Sequence, residues 1–224
     1  MIISKRCTII FLLSFLAFIL LSYFYIDRAV AEYFLANVAT YESIGEIMSI
    51  AGESHWFIAT AILGFLFFRY YKKNSLLEQR FLFLLYINLF SGVINLLLKW
   101  LFGRIRPWGL RDGGDTYGFL LFQNFEMGFF EKMKYHFITL FNSPTTYSSF
   151  PSGHTTTLVA VAIYLSLFFP KYRYLWFFVA IIVAFSRILA NDHFISDLLA
   201  AVIVGSLSTL FLYSKMKDKL EKNI

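Results

Sequence analysis

The chain has 224 residues, of which 58% are hydrophobic and 15% charged, with a formal net charge of +6. A soluble domain carries roughly 45–50% apolar and about 25% charged residues. This composition therefore excludes a water-soluble globule, and equally a disordered chain, which is poor in apolar residues. One cysteine, Cys7, excludes an internal disulfide and a cysteine metal cluster.

A helix needs about 20 apolar residues to cross ~30 Å of hydrocarbon. Six stretches approach that length: 8–26, 56–71, 81–102, 155–169, 174–189 and 194–213. The first follows Lys5 and Arg6 and precedes Ala29-Val30-Ala31, which resembles a signal cleavage site. Its apolar core of about 19 residues exceeds the 7–15 of a signal peptide, so it reads as an uncleaved anchor. In the segment 27–55, Val30, Phe34, Tyr41, Ile44 and Ile47 recur near helical spacing. The second span is short, as is the fifth.

The third span ends in Lys99-Trp-Leu-Phe-Gly-Arg104-Ile-Arg106-Pro107. Its basic side chains either snorkel to headgroups or bind a ligand, and Pro107 stops the helix there. In the following segment, Phe122, Phe125, Phe129, Phe130, Met133 and Phe137 alternate with Glu126, Glu131, Lys132 and Lys134. That charge density forbids spanning and suits a helix lying in the interface, either as a cap on the bundle or as an apolar lip for lipid chains. Pro151-Ser152-Gly153-His154 opens the fourth span. It is either a plain N-cap or an anion site built from exposed amides. The third polar stretch runs from Ser186-Arg187 to Asp192-His193 and Asp197. His193 and Asp197 stand one turn apart and share a face, a pairing that orients an imidazole and supports its cation.

The charges give a sidedness. The N-terminus, the 72–80 and 170–173 loops, the tail and Arg69 carry 12 cations and 3 acids, whereas the other side carries 8 cations and 11 acids. Positive residues stay cytoplasmic, so both termini are expected inside and the loops 27–55 and 103–153 outside. The net charge is thus a membrane signature, and no nucleic-acid partner is expected. Lys99, Arg106, Arg187, His154, His193 and Asp197 then fall on one outer face. Converging cations beside a helix N-terminus fit a phosphate, and a His–Asp pair offers a nucleophile. No H-E-x-x-H motif, cysteine ligand set or acidic cluster points to a metal.

These three stretches resemble the signature of the type 2 phosphatidic acid phosphatase family, K-x6-R-P, P-S-G-H and S-R-x5-H-x3-D. They do so at Lys99 to Pro107, Pro151 to His154, and Ser186 to Asp197. The resemblance covers about residues 81–213. It implies an all-α integral membrane protein of six transmembrane helices, with interfacial helices in the two long outer loops and one domain over 1–224. It further implies a cofactor-free phosphatase in which His193 is the nucleophile and forms a phosphohistidine. Asp197 orients His193, and His154 is the general acid. Lys99, Arg106, Ser152, Gly153 and Arg187 bind the phosphate. Vanadium haloperoxidases share this pocket but are large soluble proteins, so the spans argue against that activity.

A site at the membrane interface suggests a lipid substrate in the bilayer. Candidates are undecaprenyl diphosphate, phosphatidylglycerophosphate, phosphatidate and the phosphates of lipid A, in a bacterial inner membrane. Phosphoryl transfer between lipids is the alternative. A transporter would need mid-membrane polar residues and an internal repeat, and neither is visible.

Overall fold

Apolar runs without helix-breaking residues, punctuated by Gly, Pro and polar caps, set the helix order. The computed structural model describes residues 5–110, 117–123 and 126–221. Phe125 and the Cys7 side chain lie outside the described residues. Among these residues the α-helices are α1 (Lys5–Leu21), α2 (Asp27–Ala36), α3 (Val38–Ser49), α4 (Ser54–Leu66), α5 (Ser75–Phe102), α6 (Phe129–Asn142), α7 (Gly153–Phe168), α8 (Arg173–Leu189) and α9 (Ile195–Glu221).

Five continuous helical stretches are long and apolar enough to cross a membrane: Thr8–Ala36, Val38–Tyr71, Ser75–Phe102, Pro170–Leu189 and Ile195–Glu221. The expected sixth, α7, is apolar but only 16 residues long, about 24 Å at 1.5 Å per residue. It is sheathed by α5, α8 and α9, and its residues Thr155–Ala162 are buried. Protein rather than lipid surrounds it, so its length is not set by the bilayer. The outer surfaces of the long helices are apolar. Leu13, Leu63, Leu97 and Ile181 are each more than 60% exposed, which suits contact with lipid tails. The chain is an integral membrane protein.

The first expected outer loop is helical. A π segment, Ser22–Ile26, links α1 to α2. Its wider turn puts Ser22 and Asp27, five residues apart, on one buried face, where the Ser22 hydroxyl donates to Asp27 Oδ1 at 2.6 Å. α3 lies against α8, and Gly45 is what allows it. A Cβ there would sit 2.5 Å from Ala190 N and 2.7 Å from Ser186 O. At the end of α5, Gly103 adopts φ +58° and its N–H closes on Lys99 O at 2.9 Å, a left-handed cap that glycine takes without a Cβ penalty. That turn sends the next residues back over the bundle's end.

Candidate active site

The motif segments meet where α5 ends, α7 begins and the α8–α9 turn passes between them. Ser152 caps α7, its hydroxyl accepting from Thr155 Oγ1 at 3.0 Å, and its own N–H donates to Asp197 O at 3.2 Å. The start of α7 is thereby tied to the start of α9. The turn before α9 is held by the N–H groups of Asp192 and His193, which donate to Arg187 O at 3.0 and 3.2 Å.

His193 is almost fully buried. Its Nδ1 lies 2.7 Å from the Ser149 carbonyl, which can only accept, so Nδ1 carries the proton and Nε2 is left with the lone pair. Burial, assisted by the charges of Arg106 and Lys99 and opposed by Asp197, pulls the imidazole pKa down to about 3. Asp197 Oδ2 stands 3.6 Å from Nδ1, beyond hydrogen-bonding distance. That oxygen instead accepts from the Ser149 hydroxyl at 2.6 Å and from Phe194 N at 2.8 Å. Ser149 therefore links the pair, with its carbonyl on the ring and its hydroxyl on the carboxylate.

The other Asp197 oxygen accepts from Arg104 at 2.5 Å. The Arg104 side chain is fully buried and also donates to Asp27 at 2.8 Å and to the Ser196 hydroxyl at 2.6 Å. Burial opposes its charge, but Asp197 and Asp27 more than compensate and raise its pKa. The rings of Tyr23, Tyr117, Phe119 and Phe194 surround the guanidinium, with centroids 4.2–5.6 Å away. Asp27 further accepts from Ser196 N at 3.0 Å. Sequence reasoning passed over Asp27 and Ser149, and it named Arg104 and Asp192 within the polar stretches but gave them no role. The only sequence signal for Arg104 is its place two residues before Arg106.

Arg106 donates to Asp192 Oδ1 at 2.6 Å, and Arg187 donates to Asp192 Oδ2. Burial favours protonation of Asp192, but Arg187 and Arg106 outweigh it and lower its pKa. Lys99 donates to Ser148 O, and Arg106 to the Ser148 hydroxyl at 3.3 Å. Lys99 also lines a cavity of about 580 Å³ with Gly153 and His154. The cavity runs between α4, α5 and α7 past Asn95 and Gly92. A Cβ on Gly92 would meet nothing within 4 Å. All the expected site residues thus gather at one end of the bundle. Lys99, Gly153 and His154 line the cavity, and His193 and Asp197 are buried. Arrangements of this kind can hold an anion beside a neutral, oriented imidazole.

A family model described as the PAP2 superfamily matches residues 80–221. The lipid A 1-phosphatase of Rhizobium etli is 31% identical over 192 residues, covering 79% of this chain and 73% of its own length. That of Rhizobium johnstonii is 30% identical over 192 residues, covering 79% and 70%. A lipid A 4'-phosphatase of Porphyromonas gingivalis is 29% identical over 175 residues, covering 73% and 62%. No solved structure matches the chain.

Proposed function

The chain belongs to the PAP2 superfamily, and on that premise we propose that this membrane lipid phosphatase removes a phosphate monoester from a lipid A-type glycolipid through a phosphohistidine on His193. The hydrogen bond from His193 Nδ1 to the Ser149 carbonyl, 2.7 Å long, carries the reading, because it selects Nε2 as the nucleophile. Nε2 attacks phosphorus, the N–P bond forms and the P–O bond to the lipid breaks, while His154 gives the leaving oxygen its proton. Asp197, 3.6 Å from Nδ1, offsets the positive charge gained by the ring. Lys99, Arg106, Arg187, the Ser152 hydroxyl and the Gly153 amide hold the phosphoryl oxygens. Water then attacks phosphorus, His154 takes its proton, the N–P bond breaks and His193 returns neutral.

One observation favours a lipid A phosphate over the other candidates, and a second favours a lipid of any kind. The lipid A 1-phosphatase relatives align over most of both chains. The cavity beside His154 opens along apolar helix faces at Leu89, Val93 and Leu96, where a lipid chain can lie. The proposal puts the site on the outer face of a bacterial inner membrane, with both termini cytoplasmic.

The test is phosphate release by purified protein in EDTA, from lipid A 1-phosphate, undecaprenyl diphosphate, phosphatidate and phosphatidylglycerophosphate, with and without an acceptor lipid. Lipid A 1-phosphate should turn over fastest, and acid quenching should trap a ³²P-labelled enzyme that His193→Ala does not form. Label that persists in His193→Ala but vanishes in His154→Ala would exchange the two roles. Phosphate appearing on the acceptor rather than in water would make the enzyme a transferase.

A further inference from the structure

The phosphate pocket proposed above contains a fixed anion of its own. The carboxylate of Asp192 bridges Arg106 and Arg187, one oxygen to each guanidinium. Its backbone is pinned as well, its N–H donating to Arg187 O at 3.0 Å. The side chain is mostly buried and cannot swing freely into solvent. Each guanidinium spends one N–H on Asp192, and the Nε of each is buried without a partner among the described residues. The arginines therefore keep donors for a second anion while their relative position is set by the first.

We propose that Asp192, seated between Arg106 and Arg187, is a specificity-determining residue that sets the charge of the pocket for one phosphoryl group and lets inorganic phosphate leave. This rests on the phosphatase reading of the site. The charge balance makes the case. Lys99, Arg106 and Arg187 bring three positive charges, and Asp192 removes one. Asp192 thereby lowers by one the positive charge that this set offers to the dianion of a phosphate monoester, and Glu53, which lines the same cavity as Lys99, lowers it further. Without Asp192 the pocket would hold the same dianion, and the phosphate product, more tightly than turnover tolerates, since ground-state binding that persists in the product lowers the rate. The extra positive charge would also favour more highly charged headgroups. With Asp192 in place, a diphosphate brings its second phosphoryl group toward a fixed negative charge that repels it.

Asp192→Asn and Asp192→Glu test this in the full-length protein in detergent. Vanadate and inorganic phosphate serve as probes, and lipid A 1-phosphate and undecaprenyl diphosphate as substrates. Asp192→Asn should bind both probes about 10- to 100-fold more tightly. It should show kcat and KM falling together on the monoester, and gain on the diphosphate relative to the monoester. Asp192→Glu keeps the charge and should retain wild-type inhibition constants. A residue that only braces the arginines would give the opposite sign, because disordered arginines bind vanadate more weakly. Unchanged or weaker vanadate binding in a folded Asp192→Asn protein overturns the proposal. If Asp192→Asn does not fold, a tightening of 10-fold or more in Asp192→Glu would overturn it equally. Wild-type protein that binds neither probe would instead overturn the phosphate site itself, so the two failures are distinguishable.

Discussion

The imidazole of His193 takes its proton placement from a backbone atom. The Ser149 carbonyl fixes its tautomer, while burial keeps the ring neutral, with a pKa near 3. The unfolded imidazole takes up its proton near pH 6.5. Between those values the unfolded chain binds the extra proton. Stability contributed by the neutral ring is therefore complete above about pH 6.5 and is lost as pH falls, by up to about 1.4 kcal/mol per pH unit. Thermal unfolding in detergent at pH 7.5 and 4.5 should show a larger drop for the wild type than for His193→Gln. Equal drops would mean that the ring titrates normally. Motif spacing made Lys99, Arg106, Ser152, His154, Arg187, His193 and Asp197 legible in the sequence, because residue type and position within a block suffice to pick them out. Ser149 was not legible, because half its role belongs to a carbonyl that every residue carries. Arg104 and Arg106 have the same chemistry two residues apart, yet only the chain reversal at Gly103 shows that Arg104 turns inward.

At the scale of elements, the hydrophobic pattern located all six apolar segments, five of which lie in helical stretches long enough to span a membrane. α7 has the composition of a span, and hydropathy cannot tell a helix wrapped in lipid from one wrapped in helices. The periodicity of 27–55 was legible as helix, whereas the docking of α3 on α8 was not, since it depends on the absent side chain of Gly45. Gly45→Ala would place a methyl group 2.5 Å from the backbone of Ala190, and neither backbone can rotate away. Overpacking of this kind costs about 1–3 kcal/mol. It would also push on the turn that carries Arg187 and Asp192. The unfolding midpoint and phosphate release should both fall in Gly45→Ala. Gly92→Ala, whose new methyl meets nothing, should keep the wild-type midpoint. Equal midpoints in the two variants would show that α3 does not touch α8 so closely.

For the whole molecule, the charge asymmetry read from the sequence predicts sidedness. In a Cys7→Ser background, a cysteine replacing Phe130, on the exposed face of α6, should react with an impermeant maleimide in intact cells. A cysteine replacing Asp218 should react only after permeabilisation. The reverse pattern would put the substrate in the inner leaflet. The family match begins at residue 80, yet the buried guanidinium of Arg104 is shared between Asp197 from α9 and Asp27 from the N-terminal helical stretch. Removing one partner of such a group leaves an uncompensated charge, a loss of about 3–5 kcal/mol. Two helical stretches far apart in sequence, Thr8–Ala36 and α9, therefore close on the same cation. Until α9 has been inserted, Asp27 and Arg104 wait without their third member. Insertion of α9 thus does two things at once, completing the ion triad and setting Asp197 beside the His193 ring.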